Sequence, residues 1–123
     1  LSKFYAGASY LKLGNYENAI NYLDEFSSSD LLIQARAYSL IGDAYVEIGD
    51  YDNAIYYFKK ASNENPNEFF TPSYLLKLAI VYEETGDLES ALDTYEEIIE
   101  EFKNSPEFQT SLKNKSRIEG LLL

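Results

Sequence analysis

The sequence predicts an all-α fold in which short helix-turn-helix units stack on one another as a solenoid. Two observations support this prediction: apolar residues recur at helical spacing, and the same order of residues occurs in three successive copies. The central copy spans 38–66, where Gly49 ends a first helix and Asp50 caps a second. Pro66 ends the unit, because proline cannot donate a backbone hydrogen bond inside a helix. A pair this short cannot bury its apolar faces alone, so similar units are expected on either side.

The residue order of the central copy is repeated upstream and downstream in the same register. Its reference positions are Gly42, Tyr45, Gly49, Tyr51, Ala54, Ile55 and Phe58. The matching upstream positions are Gly7, Tyr10, Gly14, Tyr16, Ala19, Ile20 and Leu23. The matching downstream positions are Ala79, Tyr82, Gly86, Leu88, Ala91, Leu92 and Tyr95. A repeat period of about 34 residues with this order is characteristic of paired-helix repeats.

These positions resemble the tetratricopeptide repeat (TPR) family over nearly the whole chain. The resemblance implies a right-handed TPR solenoid of three helix-turn-helix repeats, at about 1–30, 35–68 and 72–105. A last helix at about 106–120 has a polar outer side, which suits a C-terminal capping helix because a solenoid end needs a solvent-compatible face. The alternative is that this helix opens a fourth, truncated repeat. Residues 1–123 are thus predicted to form a single TPR domain.

Turn and cap signals set the expected helix boundaries. Asn15 is a suitable cap for the second helix, and the serine-rich stretch 27–30 is a loop signal. Threonine-proline at 71–72 and serine-proline at 105–106 each open a helix, since proline is tolerated in the first turn. The expected helices are at about 2–13, 16–26, 32–48, 51–63, 71–85, 88–103 and 106–119.

Two adjacent phenylalanines, Phe69 and Phe70, lie in the loop before the third repeat. Two exposed phenylalanine rings would form a costly apolar patch, so we expect both to be buried. The alternative is that they are exposed for a partner.

The formal net charge is −11, from 21 acidic and 10 basic residues. Phosphate backbones and anionic lipid surfaces would be repelled, so no nucleic-acid partner is expected. No direct membrane insertion is expected either, because the most apolar run, 74–82, is too short to cross a bilayer. Residues 83–101 hold nine acids and no base. We interpret this run as a solvated helix face; the alternative is an acidic patch for a basic partner.

The residues needed for common catalytic chemistry are missing. Histidine and cysteine are absent, which removes the usual nucleophile–base pairs and most transition-metal sites. The acidic stretch 50–53 lacks the spaced oxygen ligands of a calcium loop. We therefore predict that the chain is not an enzyme and that it holds no cofactor and no metal.

What remains is a binding surface. The TPR resemblance implies that the first helix of each repeat lines a concave groove. The groove residues carried over to this chain are Phe4, Ala8, Leu11, Lys12, Ser39, Asp43, Val46, Glu47, Leu76, Ile80, Glu83 and Glu84. Apart from Lys12, the set lacks the lysines and asparagines with which some TPR domains grip a C-terminal carboxylate. A protein or peptide partner with apolar anchors and some basic charge is expected. The alternative is that a segment preceding Leu1 fills the groove.

The chain has 12 tyrosines, most of them at recurring packing positions of the repeat. We expect their rings to fill space between helices while the hydroxyls reach an edge. Tyr22, Tyr56 and Tyr57 fall outside that pattern on second helices, where a partner surface is the alternative.

A narrower resemblance is to membrane-anchored TPR proteins of the bacterial cell envelope, of the Sec-translocon-associated and outer-membrane-assembly kinds. The stretches 5–20, 41–55, 82–92 and 104–108 resemble that group. It implies a non-catalytic protein-interaction scaffold on the periplasmic side. The chain begins at Leu1 and has no methionine, so we expect a fragment whose anchor lies in a missing N-terminal segment. The alternatives are a homo-oligomer that pairs through its ends and a cytoplasmic adaptor.

Overall fold

A computed structural model describes all 123 residues and contains seven α-helices and no β-strand, which confirms the all-α class. The helices are α1 (Ser2–Lys12), α2 (Tyr16–Glu25), α3 (Leu31–Glu47), α4 (Tyr51–Glu64), α5 (Thr71–Glu84), α6 (Leu88–Glu101) and α7 (Glu107–Leu121). None of them has both the length and the apolar character that a bilayer crossing requires. The chain divides into two compact units, residues 1–65 and residues 66–123. A single domain over the whole chain stays a prediction.

The turn inside each helix pair is built in the same way. Gly14, Gly49 and Gly86 adopt φ values of 78°, 80° and 81°, in the left-handed region that glycine enters without a steric penalty. The residue after each glycine caps the next helix with a side-chain oxygen. This oxygen accepts a backbone N–H three residues later at 3.4, 3.2 and 3.1 Å, respectively. The recurrent glycine and Asn or Asp of the sequence therefore encode both the helix end and the helix start.

The core of the first unit forms where its helix pairs cross closely. Phe4, Leu23, Phe26, Ala37 and Ile41 make up its buried cluster. Gly7 lies against Leu23, and a Cβ atom at this position would come within 2.5 Å of the leucine side chain. Glycine is thus the residue that allows α1 to pack directly on α2.

The same contact recurs between α3 and α4. A Cβ atom on Gly42 would lie 2.6 Å from the ring of Phe58, which is 1% exposed. Ala54, on the facing helix, is also fully buried. Small residues at these positions permit the close helix approach that the repeat pattern predicts.

A polar network joins the three helices of the second unit around the fully buried Tyr95. The Tyr95 hydroxyl donates to Glu83 at 2.6 Å, and the Asn114 side chain donates to the Tyr95 hydroxyl at 3.2 Å. Arg117 pairs with the other oxygen of Glu83 at 2.6 Å. Burial raises the pKa of Tyr95, and the Glu83 carboxylate raises it further. Together with the buried Ile118, this network fastens α7 to α5 and α6.

A second tyrosine network lies in the first unit. The Tyr57 hydroxyl donates to Asp24 at 3.2 Å, which links α4 to α2. The Tyr57 ring stacks on Tyr45 with 5.7 Å between centroids, and the Lys60 ammonium lies 4.6 Å from the centre of the nearby Tyr38 ring. Burial, followed by the neighbouring Asp24 carboxylate, raises the pKa of Tyr57 to about 12. The neutral phenol is therefore the form that the folded state favours.

Replacing Gly42 with alanine is expected to destabilise the chain by roughly 1–3 kcal/mol, because the added methyl group overlaps Phe58. The matched control is Gly120→Ala, where a Cβ atom meets open space in α7. This change should be neutral or stabilising by up to about 1 kcal/mol, because alanine is the better helix former. Urea unfolding of both variants measures the difference. Equal stabilities for the two would contradict the packing described for α3 and α4.

The raised pKa of Tyr57 predicts a loss of stability at alkaline pH. An unfolded tyrosine ionises near about pH 10, so the contribution is fully present below that pH and is lost as the pH rises towards 12. The free energy of unfolding should fall between about pH 10 and pH 12, and less steeply in Tyr57→Phe. The control is Tyr5→Phe, at a ring that is 63% exposed, which should keep the parental slope. Parallel slopes for all three proteins in urea unfolding would rule out this role of Tyr57.

Candidate partner-binding site

The first unit contains a cleft of about 440 Å³ between α1 and α3, the α1–α3 cleft. It is lined by Leu1, Phe4, Tyr5, Ala8, Leu11, Lys12, Ile33, Arg36 and Leu40. Apart from the two bases, every lining side chain is apolar or aromatic. A cavity of this size and character fits one or two apolar side chains of a partner.

Helical spacing explains how the two walls are built. On α1, Phe4, Ala8 and Leu11 are separated by about one turn each, so they share one face. Phe4 is 8% exposed and packs against Phe26, with 5.5 Å between ring centroids, so it forms the floor of the cleft. Tyr5 meets the Phe4 ring edge-to-face and stays largely exposed, which makes it a side wall. The cleft is therefore supported by the core of the unit.

The charge of the cleft is opposite to that of the chain. Lys12 and Arg36 are both exposed, and no carboxylate is among the lining residues. Arg36 is also the only base between Lys12 and Lys59 in the sequence. In a chain with a net charge of −11, this is a local basic site beside an apolar surface. Such a surface is complementary to negative charge, whereas the sequence predicts a groove for a partner with some basic charge.

The predicted groove residues of the first repeat all line this cleft: Phe4, Ala8, Leu11 and Lys12. Those of the second repeat do not. Ser39 is buried, Asp43 and Val46 are half-buried, and Glu47 is exposed and accepts a hydrogen bond from Tyr16 at 3.5 Å.

The wall that α3 contributes instead, Ile33, Arg36 and Leu40, was missed by sequence reasoning. Equivalent positions of neighbouring repeats point in similar directions, so they cannot face each other across a cleft. The sequence did contain a signal for this wall. Ile33 and Leu40 lie at helical spacing on α3, and the isolated base Arg36 lies between them on the same face.

The predicted groove residues of the third repeat lie on α5, in the second unit. Leu76 is half-buried, Ile80 is 45% exposed and Glu84 is exposed. Glu83 has another task, because both of its carboxylate oxygens are engaged by Tyr95 and Arg117. A groove formed by all twelve predicted residues stays a prediction.

The three tyrosines outside the packing pattern of the repeat, Tyr22, Tyr56 and Tyr57, differ in their exposure to solvent. Tyr57 is half-buried and bonded to Asp24. Tyr22 stacks on Tyr10 with 5.4 Å between centroids and is 38% exposed. Tyr56 is 53% exposed, with its ring edge-to-face against Tyr57. Of these three tyrosines, Tyr22 and Tyr56 therefore present substantial ring surface to solvent, and Tyr57 does not.

The prediction that Phe69 and Phe70 are buried is wrong: they are 79% and 46% exposed. The local backbone explains the difference. The Asn67 side-chain oxygen accepts the N–H groups of both phenylalanines, at 3.0 and 2.8 Å. The buried Thr71 hydroxyl in turn accepts the Asn67 N–H at 2.8 Å. This turn holds Phe69 and Phe70 in place while leaving their rings largely exposed.

Phe69 forms part of a second cleft, of about 530 Å³, within the unit 66–123. This Phe69 cleft is lined by Glu68, Phe69, Glu101, Phe102, Lys103, Asn104, Ser105 and Pro106. The structure holds no group of three or more acidic side chains arranged to bind a metal ion. It also leaves no buried side-chain nitrogen or oxygen without a hydrogen-bond partner. The α1–α3 cleft and the Phe69 cleft are two surfaces whose shape offers a binding site.

Comparison with solved structures places this arrangement among known folds. The chain is similar to the TPR2B domain of yeast Sti1 in its complex with pHsp70, at 18% identity and a TM-score of 0.76. The match covers 98% of this chain and 95% of that one, and at this identity it shows the fold alone. A structure of MamA AMB-1 matches at 18% identity over 97% of this chain and 84% of that chain. Its TM-score of 0.46 is too low to support an argument.

No curated protein sequence matches the chain significantly. Two family models do match, and both describe a tetratricopeptide repeat. One spans residues 6–68 and the other residues 45–115, so each covers more than half of the 123 residues. With the repeated glycine turns, the close helix crossings and the all-helical fold, these matches show that this chain belongs to the tetratricopeptide repeat family.

Proposed function

We propose that this chain is a non-catalytic interaction module that binds a segment of a partner protein in the α1–α3 cleft. TPR folds typically mediate protein–protein interactions, and the proposal locates that role on a particular surface. The observation that supports it is an apolar cleft of about 440 Å³ bordered by Lys12 and Arg36 in an otherwise acidic chain.

The lining defines the chemistry of the partner segment. An apolar side chain would enter between Phe4, Ala8 and Leu40, where it is removed from water. Carboxylates placed beside that anchor would meet Lys12 and Arg36, and an arginine guanidinium can bind a carboxylate through two parallel hydrogen bonds. We therefore infer a partner segment with an aliphatic or aromatic anchor and adjacent acidic residues. The anchor supplies affinity, and the charges supply orientation.

A cell-envelope assembly is the setting we propose for this interaction, with the chain on the periplasmic side and anchored through an N-terminal segment. The proposal depends on the resemblance of 5–20, 41–55 and 82–92 to envelope TPR proteins. A cytoplasmic adaptor is the alternative setting. The coding sequence upstream of Leu1 distinguishes them, because an anchor requires about 20 apolar residues with a basic cytoplasmic flank.

The cleft can be tested by selecting random peptides on the immobilised chain. We expect the selected peptides to combine an apolar residue with adjacent acids. Reversing both bases, Lys12→Glu with Arg36→Glu, should weaken the best peptide by roughly tenfold or more, since both ion pairs become repulsions. Fluorescence anisotropy measures the affinities.

The matched control reverses two exposed bases that line neither cleft, Lys59→Glu with Lys113→Glu. It changes the net charge by the same amount and should leave the affinity within about twofold. Equal affinities for the two double variants would place the peptide on another surface and overturn the assignment. Recovery of basic peptides alone would have the same consequence.

A further inference from the structure

We propose that the Phe69 cleft is a second docking site, which takes an arginine-containing segment of a partner protein. The site lies in the unit 66–123 and shares no residue with the α1–α3 cleft. The inference thus goes beyond the function proposed above. It depends on the shape of the cleft, on an exposed aromatic ring and on the charges around them.

The first wall of the cleft is an ordered loop that presents an apolar ring. Phe69 is 79% exposed, although its backbone N–H is bonded to Asn67 at 3.0 Å. The carbonyl of the next residue, Phe70, accepts the Ser73 hydroxyl at 2.9 Å, which connects the loop to the first turn of α5. Because these bonds order the backbone that carries the ring, a partner that covers Phe69 does not have to order the loop.

The opposite wall is the turn that follows α6. The Phe102 N–H bonds to the Ile98 carbonyl at 2.9 Å, which ends the helix. The Phe102 carbonyl then accepts both the N–H and the hydroxyl of Ser105, at 3.1 and 2.7 Å. The turn is thus held by three hydrogen bonds, and the cleft has two defined sides.

Charge identifies the occupant. The lining contains two carboxylates, Glu68 and Glu101, against the single ammonium of Lys103. Neither glutamate forms an ion pair, whereas Glu83 pairs with Arg117 in the same unit. The net charge of the cleft is therefore negative, and a cationic segment complements it.

The end of α6 reinforces this charge. The last turn of the helix has no basic residue, although the helix dipole places a partial negative charge there. Partial burial raises the pKa of Glu97, and the carboxylate of Glu101 one turn later raises it further. Acids at this end repel one another and the helix terminus, and a bound cation relieves that repulsion.

Arginine fits this arrangement better than lysine. Its planar guanidinium can stack on the exposed face of Phe69 and at the same time bond to a carboxylate. Lysine supplies the charge without the flat surface. An acidic peptide and a nucleic acid are both disfavoured, since each would place further negative charge beside Glu68 and Glu101.

The test uses an N-acetylated, C-amidated hexapeptide of alternating leucine and arginine as the probe. Titration into the isotope-labelled chain, followed by NMR of the backbone amides, should shift the resonances of Glu68 to Phe70 and of Phe102 to Ser105. The lysine counterpart of the probe should bind several-fold more weakly, and the glutamate counterpart should leave these resonances unmoved. Added salt should weaken binding of the arginine probe, because the charges are exposed and therefore screened.

Variants separate the ring from the charge. Phe69→Ala should weaken the arginine probe by about tenfold, through loss of the stacking surface. Glu101→Gln should weaken it by about threefold, as expected for an exposed ion pair. The matched controls are Tyr56→Ala, another exposed ring that lines neither cleft, and Glu89→Gln, another exposed glutamate on α6, and both should keep the parental affinity.

Three results would overturn the proposal. The first is equal binding of the arginine probe to Phe69→Ala and to the parent. The second is binding of the glutamate probe at the same resonances. The third is a dimer in sedimentation equilibrium that Phe69→Ala converts to a monomer, because the cleft would then be occupied by a second copy. Failure of this proposal would not count against the α1–α3 cleft, because none of these variants changes Lys12 or Arg36.

Discussion

The close approach of two helices at a glycine is the constraint on which the first unit depends. A Cβ atom on Gly7 would lie only 2.5 Å from the facing Leu23 side chain, and a Cβ atom on Gly42 only 2.6 Å from the Phe58 ring. This contact sets the distance between the helices of a pair, and that distance brings Phe4 and Ile41 into one buried cluster. The α1–α3 cleft lies above this cluster and takes its floor, Phe4, from it. The site is thus a direct consequence of how tightly the pairs pack.

In the second unit, the helices of the pair pack together without a glycine at the crossing. Ala79 stands where the other repeats have glycine, and the fully buried Tyr95 stands where they have leucine or phenylalanine. The larger ring brings a hydroxyl into the core, and Glu83 and Asn114 satisfy it. Polar bonding therefore supplements apolar packing at the point where α7 closes the unit. Glu83, one of the predicted groove residues, takes part in this closure through its bonds to Tyr95 and Arg117.

The sequence predicts the elements of this fold more reliably than its surfaces. Gly49 and Asp50 encode a turn through their own backbone and side-chain preferences, so no distant contact is needed to place it. The orientation of Phe69 depends on a hydrogen bond from its N–H to Asn67, and composition gives no indication of that bond. The α3 wall of the cleft depends on which stripe of one helix faces its neighbour. Copying the positions of one repeat to the next cannot supply that information. Ser39 was predicted in this way as a groove residue, and the structure shows that it is buried.

The uneven distribution of charge also affects the speed of association. A partner segment with carboxylates for Lys12 and Arg36 approaches a chain that carries a net charge of −11, so the two repel at long range and attract only near contact. Encounter is then slower than for a neutral pair, and salt accelerates it by screening the repulsion. A basic segment bound for the Phe69 cleft experiences the opposite field and is steered inwards from a distance. One acidic chain can thus favour rapid capture in the unit 66–123 and slow, contact-dependent selection in the unit 1–65.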